Sequence, residues 1–270
     1  MELGILSLGD LQRDQRTGRP HRPVDRMAEI LGHAVLADQL GLDVFALGEH
    51  HSAEFLTSSP AVVLAAAAAS TSRIRLTSAT TLLGVADPVR VYEDFASLDL
   101  ISRGRAEVIA GRSAFVEPFA LFGYDTADYD ALFAEKLGHL RPLMDAYRAA
   151  GERAGHPDQL KVAISTHFHA GADPAKARAA YPYYHEYLRP KRPGGRGFVV
   201  SRGAFEAGTS RHGAIMVGSA GEITDKLLDA IKALGLDRIF AQVDRGGLPA
   251  ALVGESIARY ATEIAPALRL

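Results

Sequence analysis

The chain has 270 residues, of which 30 are Lys or Arg and 32 are Asp or Glu, a formal net charge of −2. This balance carries no electrostatic footprint for nucleic acid or an anionic membrane surface, and 47% hydrophobic with 23% charged residues excludes a disordered chain. There is no cysteine, which excludes disulfides, thiolate nucleophiles and zinc–thiolate centres and suits a reducing, cytoplasmic setting.

In chain order, "MELGILSLGD" lacks a basic leader and supplies a first strand over Leu3–Leu8 rather than a signal peptide. Met27, Ile30, Leu31, Ala34 and Ala37 recur at helical spacing, and Gly41 stands where that helix stops. Val44–Leu47 is a second strand. Ser59-Pro60 opens a helix with a capping hydroxyl and a proline in the first turn. Its alanine run, residues 65–69, is too short to span a bilayer. "RIRLTSATTLL" is a third strand, Asp87-Pro88 starts a helix that ends before Gly104, and "AEVIAG" is a fourth strand. From Tyr129 to Ala154 the pattern reads as helix, yet Gly138 and Pro142 argue against one continuous helix. "QLKVAISTHFH" is a later strand, residues 170–214 read as polar and irregular, "DRIFAQVD" is a final strand, and a closing helix follows "GGLP". Alternation of strand and helix predicts a parallel α/β sheet in one domain over residues 1–270. Six convincing strands stand against the eight of a (β/α) barrel, so about two βα units are lacking or unlisted near Gly138.

In a parallel α/β fold, the loops after the strands carry the chemistry. The second strand delivers Glu49-His50-His51, the third Leu83-Gly84, and the fourth Gly111-Arg112-Ser113. The later strands deliver His167 and His169, and then Asp244-Arg245-Gly246-Gly247. This set is polar, basic and rich in imidazole, whereas the opposite strand ends are not. Glu49, His50 and His51 read either as proton-transfer groups beside a cofactor or as a loop-tying glutamate with two half-exposed histidines. Arg112 could hold an anion, with Gly111 allowing close backbone approach, or pair with a surface carboxylate. His167 and His169 share one strand face and could join His50 or His51 around a metal, but no second cluster of carboxylates supports that, and no metal is expected. "GGLP" could cradle a phosphate at a helix N-terminus or be an ordinary turn. Nucleotide-binding glycine fingerprints and serine-nucleophile motifs are missing from the sequence.

Taken together, "LGEHHSAEF", the long block "SSPAVVLAAAAASTSRIRLTSATTLLGVADPVRVYEDFASLDLISRGRAEVIAGRSAF", and "LFGYD" closely resemble the bacterial luciferase-like flavin monooxygenase family. The likeness runs through residues 1–137 and resumes, more weakly, in "LMDAYRAAGERAGHP" and in "QVDRGGLP" with the helix after it. The resemblance implies a TIM-type barrel that binds reduced FMN or, in one branch, the deazaflavin F420. The FMN-dependent members use dioxygen to oxidise an organic substrate. Position by position it implies that His50 and His51 are the paired histidines at the flavin, with His50 in proton transfer. It places Arg112 on the flavin phosphate, with Gly111 and Ser113 beside it. Ala79-Thr80 corresponds to a strand end that packs against the flavin ring, where relatives have a non-proline cis peptide. Gly111 replaces the family's reactive cysteine, which excludes a thiol role.

This sequence departs from the family between "LFAEKL" and "PLMDAYR", where a further strand pair and a serine-rich part of the phosphate cradle are expected. The resemblance leaves three activities open: an FMN-dependent monooxygenase, an F420-dependent oxidoreductase, and a flavin-binding barrel without turnover. It further implies a separate flavin reductase, a homodimer and a small-molecule substrate whose identity the sequence does not give.

Overall fold

The computed structural model describes residues 1–11, 18–19, 21–111, 117–128, 163–189, 199–211, 213, 215–234 and 236–269, together with 132, 135, 136, 139 and 142. Its strands are β1 (Glu2–Ser7), β2 (Val44–Leu47), β3 (Arg75–Ser78), β4 (Thr81–Leu82), β5 (Ala106–Glu107), β6 (Ala110–Gly111), β7 (Ala163–Ala170), β8 (Met216–Gly218) and β9 (Arg238–Asp244). Seven form one sheet in the order β5-β3-β2-β1-β9-β7-β8, and β4 pairs with β6. Every pairing is parallel. β1 lies beside the last strand, as in a TIM-type barrel, and β5 and β8 end the pairing order among the described residues. The expected loss of two units near Gly138 lies outside the described residues, and so does most of the stretch 129–154, of which 132, 135, 136, 139 and 142 are helical.

The helices form where the sequence supplies their ends. α1 (Pro23–Gln39) stops at Leu40, and Gly41 follows at φ +74, a left-handed conformation that glycine adopts without strain. α3 (Pro88–Ser102) begins at Asp87, whose carboxylate accepts from the backbone N–H of Val89 and Arg90. α2 (Pro60–Ser70) has the expected proline in its first turn, but Ser59 makes no side-chain capping bond.

Alternation along the strands sorts side chains into two sets. Leu3, Ile5, Phe45, Leu47, Leu76, Ile239, Ala241 and Val243 join helix residues such as Ile30, Leu64 and Leu98 in the main core. The intervening residues Leu6, Val44, Ala46 and Phe240 form a second core inside the strands, with Leu8, Ala79 and Ile109 half-buried on top. Gly4 belongs to this interior, where a Cβ would stand 2.7 Å from the Val44 carbonyl and 3.3 Å from the Phe240 ring. Below that layer, at the strand starts, Arg238 donates to Glu2 at 2.6 Å and to Glu107 at 3.0 Å, and Arg75 also pairs with Glu107. The interior therefore has an ionic floor, an apolar middle and a polar mouth.

Three expectations need correction. The third strand is interrupted at Ala79–Thr80, so that β3 pairs with β5 while β4 pairs with β6. "AEVIAG" is divided in the same way by Val108 and Ile109. Residues 170–214 are not simply irregular: helices occupy Pro174–Arg178, Tyr181–Leu188 and Arg202–Thr209. Asp173 and Ser201 cap two of them, accepting from the backbone N–H of Lys176 and Ala204. Capping by short polar side chains made a helical stretch look like a loop. The closing helix is Ala250–Arg259, continued by one π-helical segment, Tyr260–Ile264.

Candidate active site at the carboxyl ends of the strands

Glu49 leaves β2 buried and uses both carboxylate oxygens. Oε2 accepts the Leu82 backbone N–H at 3.0 Å, and Oε1 lies 2.9 Å from Nε2 of His51. This ties the second loop to β4 and sets the His51 ring edge-on to Phe122, with centroids 4.9 Å apart. The neighbouring His50 ring stacks on Phe55 at 4.0 Å and 24°, while its backbone N–H donates to the Thr57 carbonyl at 3.2 Å. Burial, with a smaller push from His51, holds the His50 imidazole down at about 4, so the ring is neutral near pH 7. Of the two readings the sequence offered for this triplet, the geometry speaks to the loop-tying one. Glu49 is a tie, and the two imidazoles sit at the mouth in fixed orientations.

The Ala79–Thr80 peptide bond is cis. It lies where the chain passes from β3 to β4, above the half-buried Leu8, Ala79 and Ile109. Ser78 accepts the Ile109 N–H at 3.2 Å, and the Thr81 hydroxyl donates to Ser78 at 2.9 Å, locking this turn to the neighbouring strand. Gly111 faces Thr80 across β4 and β6: a Cβ there would stand 2.3 Å from Oγ1 of Thr80. Any side chain at position 111 would collide with Thr80 as it stands. Arg112 and Ser113 lie outside the described residues.

A second polar group stands over β7 and β9. His167 Nδ1 lies 3.1 Å from the Tyr184 hydroxyl, and its ring meets those of Tyr184 and Tyr187 edge-on at 5.1 and 5.8 Å. Burial, aided by the charge of Arg245, holds His167 at about 3 and His169 at about 4. Both rings are neutral, and among the described residues no three metal-ligating side chains gather. Between β9 and α1 the carboxylates of Asp10 and Asp244 enclose Arg26, which reaches Asp244 at 2.7 Å and Asp10 at 3.3 Å. Ser7 donates to Asp244 at 2.7 Å, and Gly246 donates its N–H to Asp10 at 2.8 Å. Burial raises Asp10 to about 6 against the pull of Arg26. Sequence reasoning missed Asp10 and Arg26. The available signal was position, since Asp10 follows β1 as Glu49 follows β2.

The described residues include no helix long and apolar enough to cross a membrane. A protein-family model described as luciferase-like monooxygenase matches residues 1–145. The uncharacterized protein y4wF of Sinorhizobium fredii is 34% identical over 122 residues, 45% of this chain and 35% of that protein. The alkanal monooxygenase alpha chain of Photorhabdus laumondii is 34% identical over 98 residues, 36% of this chain and 27% of its own length. The chain thus matches about a third, or less, of the length of these curated relatives. Among solved structures, the monooxygenase RslO1 of Streptomyces bottropensis superposes with a TM-score of 0.76 at 20% identity, covering 98% of this chain and 99% of the other. The oxygenating constituent of 3,6-diketocamphane monooxygenase from Pseudomonas putida, in complex with FMN, gives 0.70 at 17%, covering 98% of each chain. The F420-dependent tetrahydromethanopterin reductase of Methanopyrus kandleri gives 0.63 at 15%, again covering 98% of each. At such identities these three speak for the fold alone, and the FMN and F420 in their names belong to those proteins. The family model, by contrast, takes in more than half of the sequence, including both the paired histidines and the Ala79–Thr80 turn, and so this chain belongs to the luciferase-like monooxygenase family.

Proposed function

We propose that the chain is a flavin-dependent monooxygenase that uses reduced FMN and dioxygen to oxidise a small organic substrate. One observation carries the reading: a neutral, half-buried His50 stands at the same strand ends as the apolar surface of Leu8, Ala79 and Ile109. A flat, largely apolar ring fits such a surface, and the neutral imidazole beside it can take up a proton only transiently, because burial makes the imidazolium a strong acid that hands the proton back. Reduced flavin supplies the two electrons that activate dioxygen. In this reading His50 holds the mobile proton, Glu49 and His51 fix the loop that presents it, and Phe55 keeps its ring dry. Ala79 and Thr80 support the flavin ring, Arg112 and Ser113 hold the phosphate, and Gly111 leaves the backbone approach open. Reduced FMN comes from a separate reductase, consistent with the missing nicotinamide fingerprint, and the working form is a homodimer in the cytoplasm.

The test is a titration of the pure full-length chain with FMN, followed by mixing the reduced complex with oxygenated buffer. The reading expects saturable FMN binding and a return of oxidised-flavin absorbance at least tenfold slower than for free reduced FMN. No binding of FMN at any concentration overturns it. The likeness to the F420-dependent reductase of Methanopyrus kandleri favours a second reading, hydride transfer with F420 on the same surface. Preferential binding of F420, with FMN excluded, would select it. A chain that binds FMN but leaves its re-oxidation unaltered is a carrier without turnover.

A further inference from the structure

Arg245 follows β9, two strands away from the loop that carries His50. It is 3% exposed. Nη1 donates to the carbonyls of Phe168 at 3.0 Å and Gln242 at 2.6 Å, whereas Nε is buried with no hydrogen-bond partner. Among the described residues the other buried arginines are neutralised: Arg26 is held by Asp10 and Asp244, Arg238 by Glu2 and Glu107. Those carboxylates push both arginines above their ordinary value, while burial lowers Arg245 to about 10. Asp10 and Asp244 favour the Arg245 charge from a distance, but their contacts go to Arg26, Ser7 and Gly246. A permanent cation with no anion in contact is a costly arrangement to retain without purpose.

Two further polar atoms share its surroundings without partners: Nε2 of Gln242 and Nδ1 of His169. The Arg245 charge is felt at His169, and the Gln242 side chain lies near the Tyr187 hydroxyl, which Arg245 also influences. The guanidinium lies 5.5 Å from the Tyr184 ring centre. The void beside Arg245, on its Asp10 side, measures only about 10 Å³, room for one water. Tyr187, near Arg245 and Gln242, is only half-buried.

We propose that Arg245, Gln242 and His169 form the receptor for a carboxylate-type oxyanion on the organic substrate, with Tyr187 as the side chain that yields to admit it. The proposal rests on the functional reading above and names the substrate class for it. The oxyanion accepts from Nε of Arg245, the Gln242 amide and the Nδ1–H tautomer of His169. These are the three atoms left unpaired in the closed form.

The decisive measurement is calorimetric titration of the full chain with sodium benzoate, benzenesulfonate and benzamide. Tyrosine fluorescence is followed in parallel, since the chain has no tryptophan and four of its nine tyrosines lie on the helix Tyr181–Leu188. The proposal expects benzoate and benzenesulfonate to bind at least tenfold more tightly than neutral benzamide, with a change in tyrosine emission. Arg245→Met should weaken benzoate at least tenfold, and Arg245→Lys, which keeps the charge, by less. Equal binding of benzoate and benzamide to the wild-type chain, or binding of neither, overturns the receptor whatever the variants do. A loss in Arg245→Met that falls on FMN but not on riboflavin also overturns it, because Arg245 would then hold the cofactor's phosphate. Wild-type FMN affinity, measured on the same sample, separates the two readings. If FMN binds and benzoate does not, only the receptor falls; if benzoate binds and FMN does not, the flavin reading falls.

Discussion

The floor and the mouth of the same strand bundle treat buried charge in opposite ways. At the floor, Arg238 and Arg75 share Glu107, and Glu2 completes the set, so each guanidinium meets a carboxylate. At the mouth, Arg245 meets only carbonyls, and His169 and Gln242 keep unpaired polar atoms. Both ends are built from polar side chains on the same strands, so burial alone does not separate structure from function. What separates them is satisfaction: one end has its hydrogen bonds closed within the chain, and the other holds them open for something else.

The largest expected effect on this contrast is acidification. His50, His167 and His169 are held at about 4, 3 and 4 in the folded chain, against about 6.5 when unfolded. The unfolded chain therefore binds more protons below pH 6.5, and stability falls as pH drops from 6.5 towards 4, by several kcal/mol in sum on the order of ~1.4 kcal/mol per unit for each ring. Asp10 acts in the opposite sense between about 6 and 3.8, because its protonation removes a buried charge. Urea titrations at pH 7.5, 6 and 5 should show the midpoint falling, and a flat profile would mean that the mouth is hydrated rather than dry. Next comes Glu107→Gln, which strips the floor's shared anion and should cost about 3–5 kcal/mol in the same assay. A cost below about 1 kcal/mol would make the floor's ion pairs as dispensable as surface ones. Gly111→Ala should cost about 1–3 kcal/mol through overpacking against Thr80 and be relieved by Thr80→Gly; no relief in the double variant would place the strain elsewhere. Smallest in stability is His50→Ala, within about 1.5 kcal/mol. It should leave FMN binding largely intact while changing the re-oxidation rate of bound reduced flavin, and an unaltered rate would remove His50 from proton handling.

Much of the scaffold was legible because local signals agreed with the fold. Gly41 ends α1, Asp87 caps α3, and the apolar runs of β1, β2 and β9 are buried throughout. The triplet after β2 stood out for the same reason, since ionisable groups at a buried strand's end are conspicuous. Ser59 misled because a capping residue type does not guarantee a capping bond. The splitting of the third strand is set by cross-strand pairing to β5 and β6, which no window of sequence contains. The Asp10–Arg26–Asp244 network escaped because its members are 16 and 218 residues apart and meet only once the first and last strands lie side by side.

That side-by-side pairing carries one irregularity: Leu6 faces Gln242, but Ser7 faces Asp244, with Val243 taken up as an extra residue. Strict alternation would aim Asp244 inward, on the same side as Gln242. The slip turns it outward to Arg26 instead. A single surplus residue thus acts as an insulator, keeping the strand's own acid from short-circuiting the cation that comes immediately after it.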